Sequence, residues 1–145
     1  MQATDLYRVR QIKHHGISMP THSALITPLS YTIGLFLNNS GLQAGAPSGE
    51  VATGSGYQRM PITFAQGSNI NELVVPNEVL FGVPTADWGI IPYTGIFAEI
   101  SAGTWELWYW SQLTNPNTGT PESITIVNDG ARARFQANKI VLTVT

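Results

Sequence analysis

The chain has 145 residues, a formal charge of −2, no cysteine, and 11% charged against 43% hydrophobic residues. That length holds one domain with a proper core; the lack of cysteine excludes disulfides and thiolate metal sites, and the charge balance excludes a generally basic nucleic-acid binder. Charge at less than half the roughly 25% of ordinary soluble domains leaves a surface of Thr, Ser, Asn, Gln and Gly, suited to a protein largely covered by partners.

The first 28 residues differ from the rest. They carry Arg8, Arg10 and Lys13 against Asp5 alone, whereas residues 29–145 carry four basic and eight acidic residues. All three histidines (His14, His15, His22) lie in this stretch, which has neither a helical nor a strand apolar period and is punctuated by Pro20 and Pro28. It reads as an extended N-terminal arm, residues 1–28, ahead of a domain at 29–145. Its positive charge matches the acidic body of another copy, and the alternative is that it packs back on its own domain. No signal-peptide h-region and no run of about 18 apolar residues is present, so no membrane partner is expected. Either Met1 or Met19 is a plausible start.

From Leu29 onward the pattern is β. "YTIGLFL" (31–37) alternates Tyr31, Ile33, Leu35 and Leu37 against Thr32, Gly34 and Phe36. A Gly/Ser-rich loop leads to "YQRMPITF" (57–64), where Pro61 predicts an edge or a bulge. "NINEL" (69–73) offers one helical turn at most, cut off by Pro76. The remaining strands are expected at 77–83, 91–100, 104–113, 123–128, 133–137 and 139–145, separated by "SAGT", "NPNTGTP" and "NDG". About eight short strands at such spacing predict an all-β fold, a β-sandwich with jelly-roll or immunoglobulin-like connections.

Catalytic chemistry is not expected. The histidines stand outside the β body, so a Ser-His arrangement has no base there. His14 and His15 are neighbours that point apart on an extended chain, no metal-ligand spacing occurs, and no cofactor fingerprint is present. Asp87, Glu99, Glu106, Glu122 and Asp129 show no spacing that selects a glycosidase pair. "NNS" (38–40) has the form of a glycosylation acceptor.

"TWELWYWSQL" (104–113) holds three of the four tryptophans. Alternation places Trp105, Leu107, Tyr109, Ser111 and Leu113 on one face and Glu106, Trp108, Trp110 and Gln112 on the other. The first set is the better core stripe, which makes Trp105 structural. The second, with Trp108 and Trp110 among polar neighbours, reads as a subunit-docking face, a face covered by the arm or a loop, or a flat sugar platform served by Asn115 and Asn117. It carries Glu106 and no cation, so nucleic-acid stacking fails on sign.

The order of features adds to this. A Tyr-x-Arg-x-x-x-x-Phe strand (Tyr57, Arg59, Phe64) is followed by a Thr85-Ala86-Asp87-Trp88-Gly89 turn. A Gly95-Ile96-Phe97 strand comes next, then a strand with Leu107, Trp108, Tyr109, Leu113 and Thr114. Over about four-fifths of the chain this resembles a family of small virion proteins of tailed bacteriophages, capsid cement or decoration proteins and tail-fibre-like proteins. Trp110 and the arm depart from the shared pattern. The resemblance implies a β-sandwich with a structural, non-catalytic place in the particle. The expectation is a cement protein on the capsid surface, bridging major capsid subunits and neighbouring copies of itself as a trimer or dimer. A tail, baseplate or fibre component is the alternative, and a carbohydrate-binding adhesion module the third option. The contact residues expected are Arg8, Arg10, Lys13, Trp108 and Trp110. Asp87, Trp88 and Gly89 would form a turn in which Asp87 bonds the backbone ahead, Gly89 takes positive φ and Trp88 plugs one end of the sandwich. Arg59 would pair with Asp87 or a backbone carbonyl, or stand solvated on an edge strand.

Overall fold

In a computed structural model, residues 2–3 and 27–143 are described. Arg8, Arg10, Lys13 and the three histidines lie outside them. Among the described residues twelve strands and one short 3₁₀ turn make an all-β fold: β1 (Gln2–Ala3), β2 (Tyr31–Phe36), β3 (Met60–Ile62), β4 (Ala65–Gln66), β5 (Glu72–Val74), β6 (Val79–Leu80), β7 (Gly89–Ile91), β8 (Tyr93–Ser101), β9 (Thr104–Gln112), β10 (Ile124–Ile126), β11 (Arg134–Phe135) and β12 (Val141–Thr143), with the turn at Thr53–Ser55.

The largest sheet has the order β1-β9-β8-β2-β3, all antiparallel. Pro61 sits in β3 at one edge, where its missing N–H costs no ladder bond to a further strand. Opposite this sheet lie β4-β5-β12, β6-β11 and β7-β10. The main core fills the space between: Ile33, Leu35 and Ile96 from the large sheet meet Val79, Ile91, Ile126 and Leu142 from the smaller ones, with Val75 and Phe81 just past the ends of β5 and β6. This two-layer packing around one core is what strands that alternate apolar and polar residues achieve.

Residues 69–73 form no helical turn. Glu72–Val74 is a strand paired with β12 and with β4, and Gly67 and Glu72 close the hairpin by an N–H to O bond of 2.9 Å. The three apolar residues at 73–75 bury better between two strands than on a one-turn helix, which would leave its terminal groups unpaired. β2, β3, β6, β9, β10, β11 and β12 form inside the expected ranges and are shorter than them, β8 ends at Ser101 just past its range, and β1, β4 and β7 are strands that the sequence pattern does not mark.

β2 is extended at its start by Leu29 and Ser30, which exchange backbone bonds with Glu99 of β8. The Glu99 carboxylate ties this seam to the β8–β9 hairpin. It accepts from Ser30 Oγ at 2.6 Å and from the Gly103 N–H at 3.0 Å. These two bonds, the Ser30 hydroxyl first, hold its carboxyl below the usual value. A lowered carboxyl contributes stability above its unfolded range, and the contribution disappears as pH falls through its folded value. Ser30→Ala is therefore expected to move the Glu99 titration back upward in a carboxyl-resolved NMR pH series. An unchanged midpoint would show that the hydroxyl does not govern it.

Candidate functional site

The tryptophan strand is the middle of a second, smaller core on the outer face of the large sheet. Phe36, Leu42, Phe97 and Leu107 are buried together there, with Tyr93, Trp105 and Trp110 packed around them. The cover is the loop of residues 37–50. It leaves the end of β2, drops Leu42 onto the sheet and returns antiparallel, with Leu37 N–H bonding Gly49 O and Val51 N–H bonding Leu35 O. The Gly/Ser-rich composition that reads as a plain connection is the lid of a core.

Strict alternation fails in β9. Ile96 pairs with Tyr109, but Phe97 pairs with Leu107, so Trp108 is an inserted residue, a β-bulge. The insertion reverses the faces on either side of it. Trp105, Leu107 and Trp110 share the outer core, and Tyr109 and Leu113 join the main one. The expected pairing of Trp108 with Trp110 on one outer face is thereby corrected, as is that of Trp105 with Tyr109. Trp108 is only 5% exposed; its ring meets Tyr31 edge-on at 6.4 Å, and its Nε1–H donates to Glu106 Oε2 at 3.0 Å. Trp110 is half-buried, edge-on to Tyr93 at 6.1 Å, with Nε1–H donating to Gln43 Oε1 at 3.2 Å. Two parallel open indole faces, the geometry a sugar platform needs, do not occur here. Asn115 is used within its own loop, donating to Glu122 at 2.6 Å and accepting from the Asn117 N–H.

The seating of these side chains over β8 depends on Gly95. A Cβ built there meets Leu107 Cδ1 at 2.6 Å and Phe36 Cε2 at 2.9 Å. Gly95→Val is expected to cost about 1–3 kcal/mol by overpacking the outer core, read as a lowered denaturation midpoint with the slope unchanged. A variant as stable as the parent would mean that the loop is not seated on these rings.

Arg59 pairs with neither Asp87 nor a backbone carbonyl. Its Nε and Nη2 grip the two oxygens of Glu50, each at 2.7 Å, and its guanidinium lies over Phe97 at 3.4 Å from the ring centre. Glu50 Oε1 also accepts from the Tyr57 hydroxyl at 2.9 Å, and that hydroxyl accepts the Leu35 N–H at 2.9 Å. β3 reaches along β2 only to Ile33; beyond it the Tyr57 hydroxyl meets the Leu35 N–H, while the Leu35 carbonyl accepts from Val51 on the returning loop. Tyr57 and Arg59, the two polar members of the Tyr-x-Arg motif, thus converge on one carboxylate at the root of the 37–50 loop. Glu50 carried no sequence signal of its own beyond being the only acidic residue between Asp5 and Glu72.

The Asp87-Trp88-Gly89 turn joins distant parts of the chain. Asp87 Oδ1 accepts from the Asn128 N–H at 2.7 Å, not from the backbone just ahead of it, and Trp88 N–H bonds Ile126 O at 2.9 Å. Gly89 has φ +90°, which lets the chain turn Trp88 inward immediately before β7. Trp88 is 3% exposed, edge-on to Tyr57 and Phe81, with Nε1–H donating to Ser55 O at 2.9 Å.

Large apolar side chains remain at the surface at Leu37, Ile90 and Val127, and Ile70 at the β4–β5 hairpin is 97% exposed. Among the described residues no group of three or more His, Cys, Asp or Glu side chains comes together to hold a metal. The geometry is that of two packed cores locked by an ion pair, with apolar residues left outside.

Residues 19–143 match the family model described as podophage GP4 fiber I protein gp80. No curated protein matches the chain, and no solved structure does.

Proposed function

The chain belongs to the podophage GP4 fiber I protein gp80 family, and from that premise we propose that it serves as a fibre component of a podophage particle. It is a phage virion structural protein; the family match over residues 19–143 carries the reading and favours a fibre over the capsid cement expected from sequence. The architecture supports it in physical terms. The Trp-rich strand is spent on packing, and the polar chemistry that could serve catalysis, Glu50 with Arg59 and Tyr57, is spent on fastening a loop. Work remains for the surface, where Leu37, Ile90, Val127 and Ile70 stand exposed on a body with few charges. Residues of this kind contribute when many copies assemble, because modest contacts add through multivalency. Its partners on this reading are other copies of the chain and the neighbouring proteins of the particle, and it acts without chemistry.

The test is immunogold electron microscopy of native particles together with quantitative mass spectrometry of the same preparation. The expected result is gold on fibrous appendages and a copy number well below that of the major capsid protein. Grains spread evenly over the head, at a copy number near that of the major capsid protein, would overturn the fibre assignment and restore the cement one.

A further inference from the structure

The N-terminal strand is joined to the sheet in an unusual way. β1 contributes two residues, Gln2 opposite Trp110 and Ala3 opposite Tyr109, and it lies outside β9 at the edge of the large sheet. The chain re-enters the same sheet at Leu29 and Ser30, which bond to Glu99 on β8. Between these points lie three strand spacings across the sheet and a few residues along it, a distance of roughly 20 Å. The connecting residues 4–28 could reach roughly 80 Å when extended. The tether is therefore several times longer than its own domain requires, and it does not dictate which copy's β9 receives β1.

We propose that the edge of β9 receives the N-terminal strand of a neighbouring copy, so that copies of the chain are linked by exchanged arms. Three observations converge on it. A strand pairing of two residues has the same ladder bonds whether the donor is its own chain or another, so exchange costs no contact energy. Self-pairing gains only the effective concentration that a connection of this length confers, on the order of millimolar, and copies packed side by side in an assembly reach a comparable local density. The charge is complementary: Arg8, Arg10 and Lys13 lie on the tether, and the body beyond residue 28 carries eight acidic residues against four basic ones, with Glu106 on β9 itself and Glu99 on the adjoining strand. Addition of an extended segment to a sheet edge is a general mode of protein association. The inference does not depend on the fibre assignment, since it concerns only how copies of this chain meet.

The absence of cysteine makes a direct test simple. Two full-length double variants are built at the paired positions, Gln2→Cys with Trp110→Cys, and Ala3→Cys with Tyr109→Cys. The two pairs fall on opposite faces of β9, so a packing defect in one leaves the other usable. After oxidation at a concentration where the chain is assembled, non-reducing electrophoresis should show covalent dimers and larger species that collapse to monomer on reduction. An equimolar mixture of the two single variants of a pair should yield a bridged heterodimer. A bridge found only within one chain, as a fast-migrating monomer, would overturn the proposal in favour of self-pairing. Failure of both pairs to bridge would overturn it too, because β1 would then not occupy the β9 edge.

Discussion

Replacing Trp88 with alanine is expected to lower the unfolding free energy by about 3–5 kcal/mol, the range for removing a large buried aromatic side chain. The ring is 3% exposed and touches both Tyr57 and Phe81, so its loss leaves a cavity lined by two other aromatics that cannot collapse without unstacking. It also strips Ser55 O of one of the two donors it holds, the other being the Thr85 N–H at 2.9 Å. Trp88→Phe should retain much of the packing and lose the hydrogen bond, so its cost should fall well below that of alanine. Denaturant unfolding followed by circular dichroism measures both. A loss under about 1 kcal/mol for alanine would show that Trp88 is not the plug that joins the Ser55 turn to β7 and β10.

The second large effect concerns Glu50. Its carboxylate is held by Arg59 twice and by Tyr57 once, with the ion-pair side chains 32% and 23% exposed. Removing one partner of a buried pair costs about 3–5 kcal/mol. The residual solvent access here reduces that, and Glu50→Ala is expected to cost about 2 kcal/mol. The sources are an unpaired guanidinium over Phe97 and a Tyr57 hydroxyl that has lost its acceptor. Local consequences should exceed the global one. Glu50 bridges to Phe36 at the root of the 37–50 loop, so amide exchange at residues 37–50 should accelerate more than in the rest of the domain. A double-mutant cycle with Arg59→Ala should return a coupling of about 0.5–3 kcal/mol; a coupling of zero would remove the lock from the account of the fold.

The same cluster gives a high-pH signature. Burial, then the Glu50 charge, raises the Tyr57 hydroxyl far above its usual value. A raised group contributes stability that is complete below its unfolded value, near 10, and is lost as pH climbs beyond it. The domain should therefore weaken above about pH 10, and Tyr57→Phe should weaken it less steeply there while losing the Leu35 N–H partner at neutral pH.

Several features were legible before any coordinates. Alternation in 31–37 and the punctuation at "SAGT" mark β2 and the β8–β9 hairpin, and Pro61 marks β3 as an edge. These signals are local, because a strand's period and a proline's missing donor act within a few residues. The 37–50 lid was not legible. Leu42 is its only large apolar residue between Leu37 and Val51, and nothing local shows that this leucine is buried against Phe97 and Leu107. Arg59 likewise had several plausible acceptors in the sequence, and its choice of Glu50 depends on the loop returning beside β2.

By itself, the sequence determined the fold class, the strand-rich plan, the turns and the order of motifs that marks a tailed-phage virion protein, since each depends on residue type and short-range spacing. Tertiary structure alone decided which ring faces which core. A single inserted residue at Trp108 reverses every side chain beyond it relative to those before, and whether a strand carries such a bulge is set by its pairing with β8, not by its own residues.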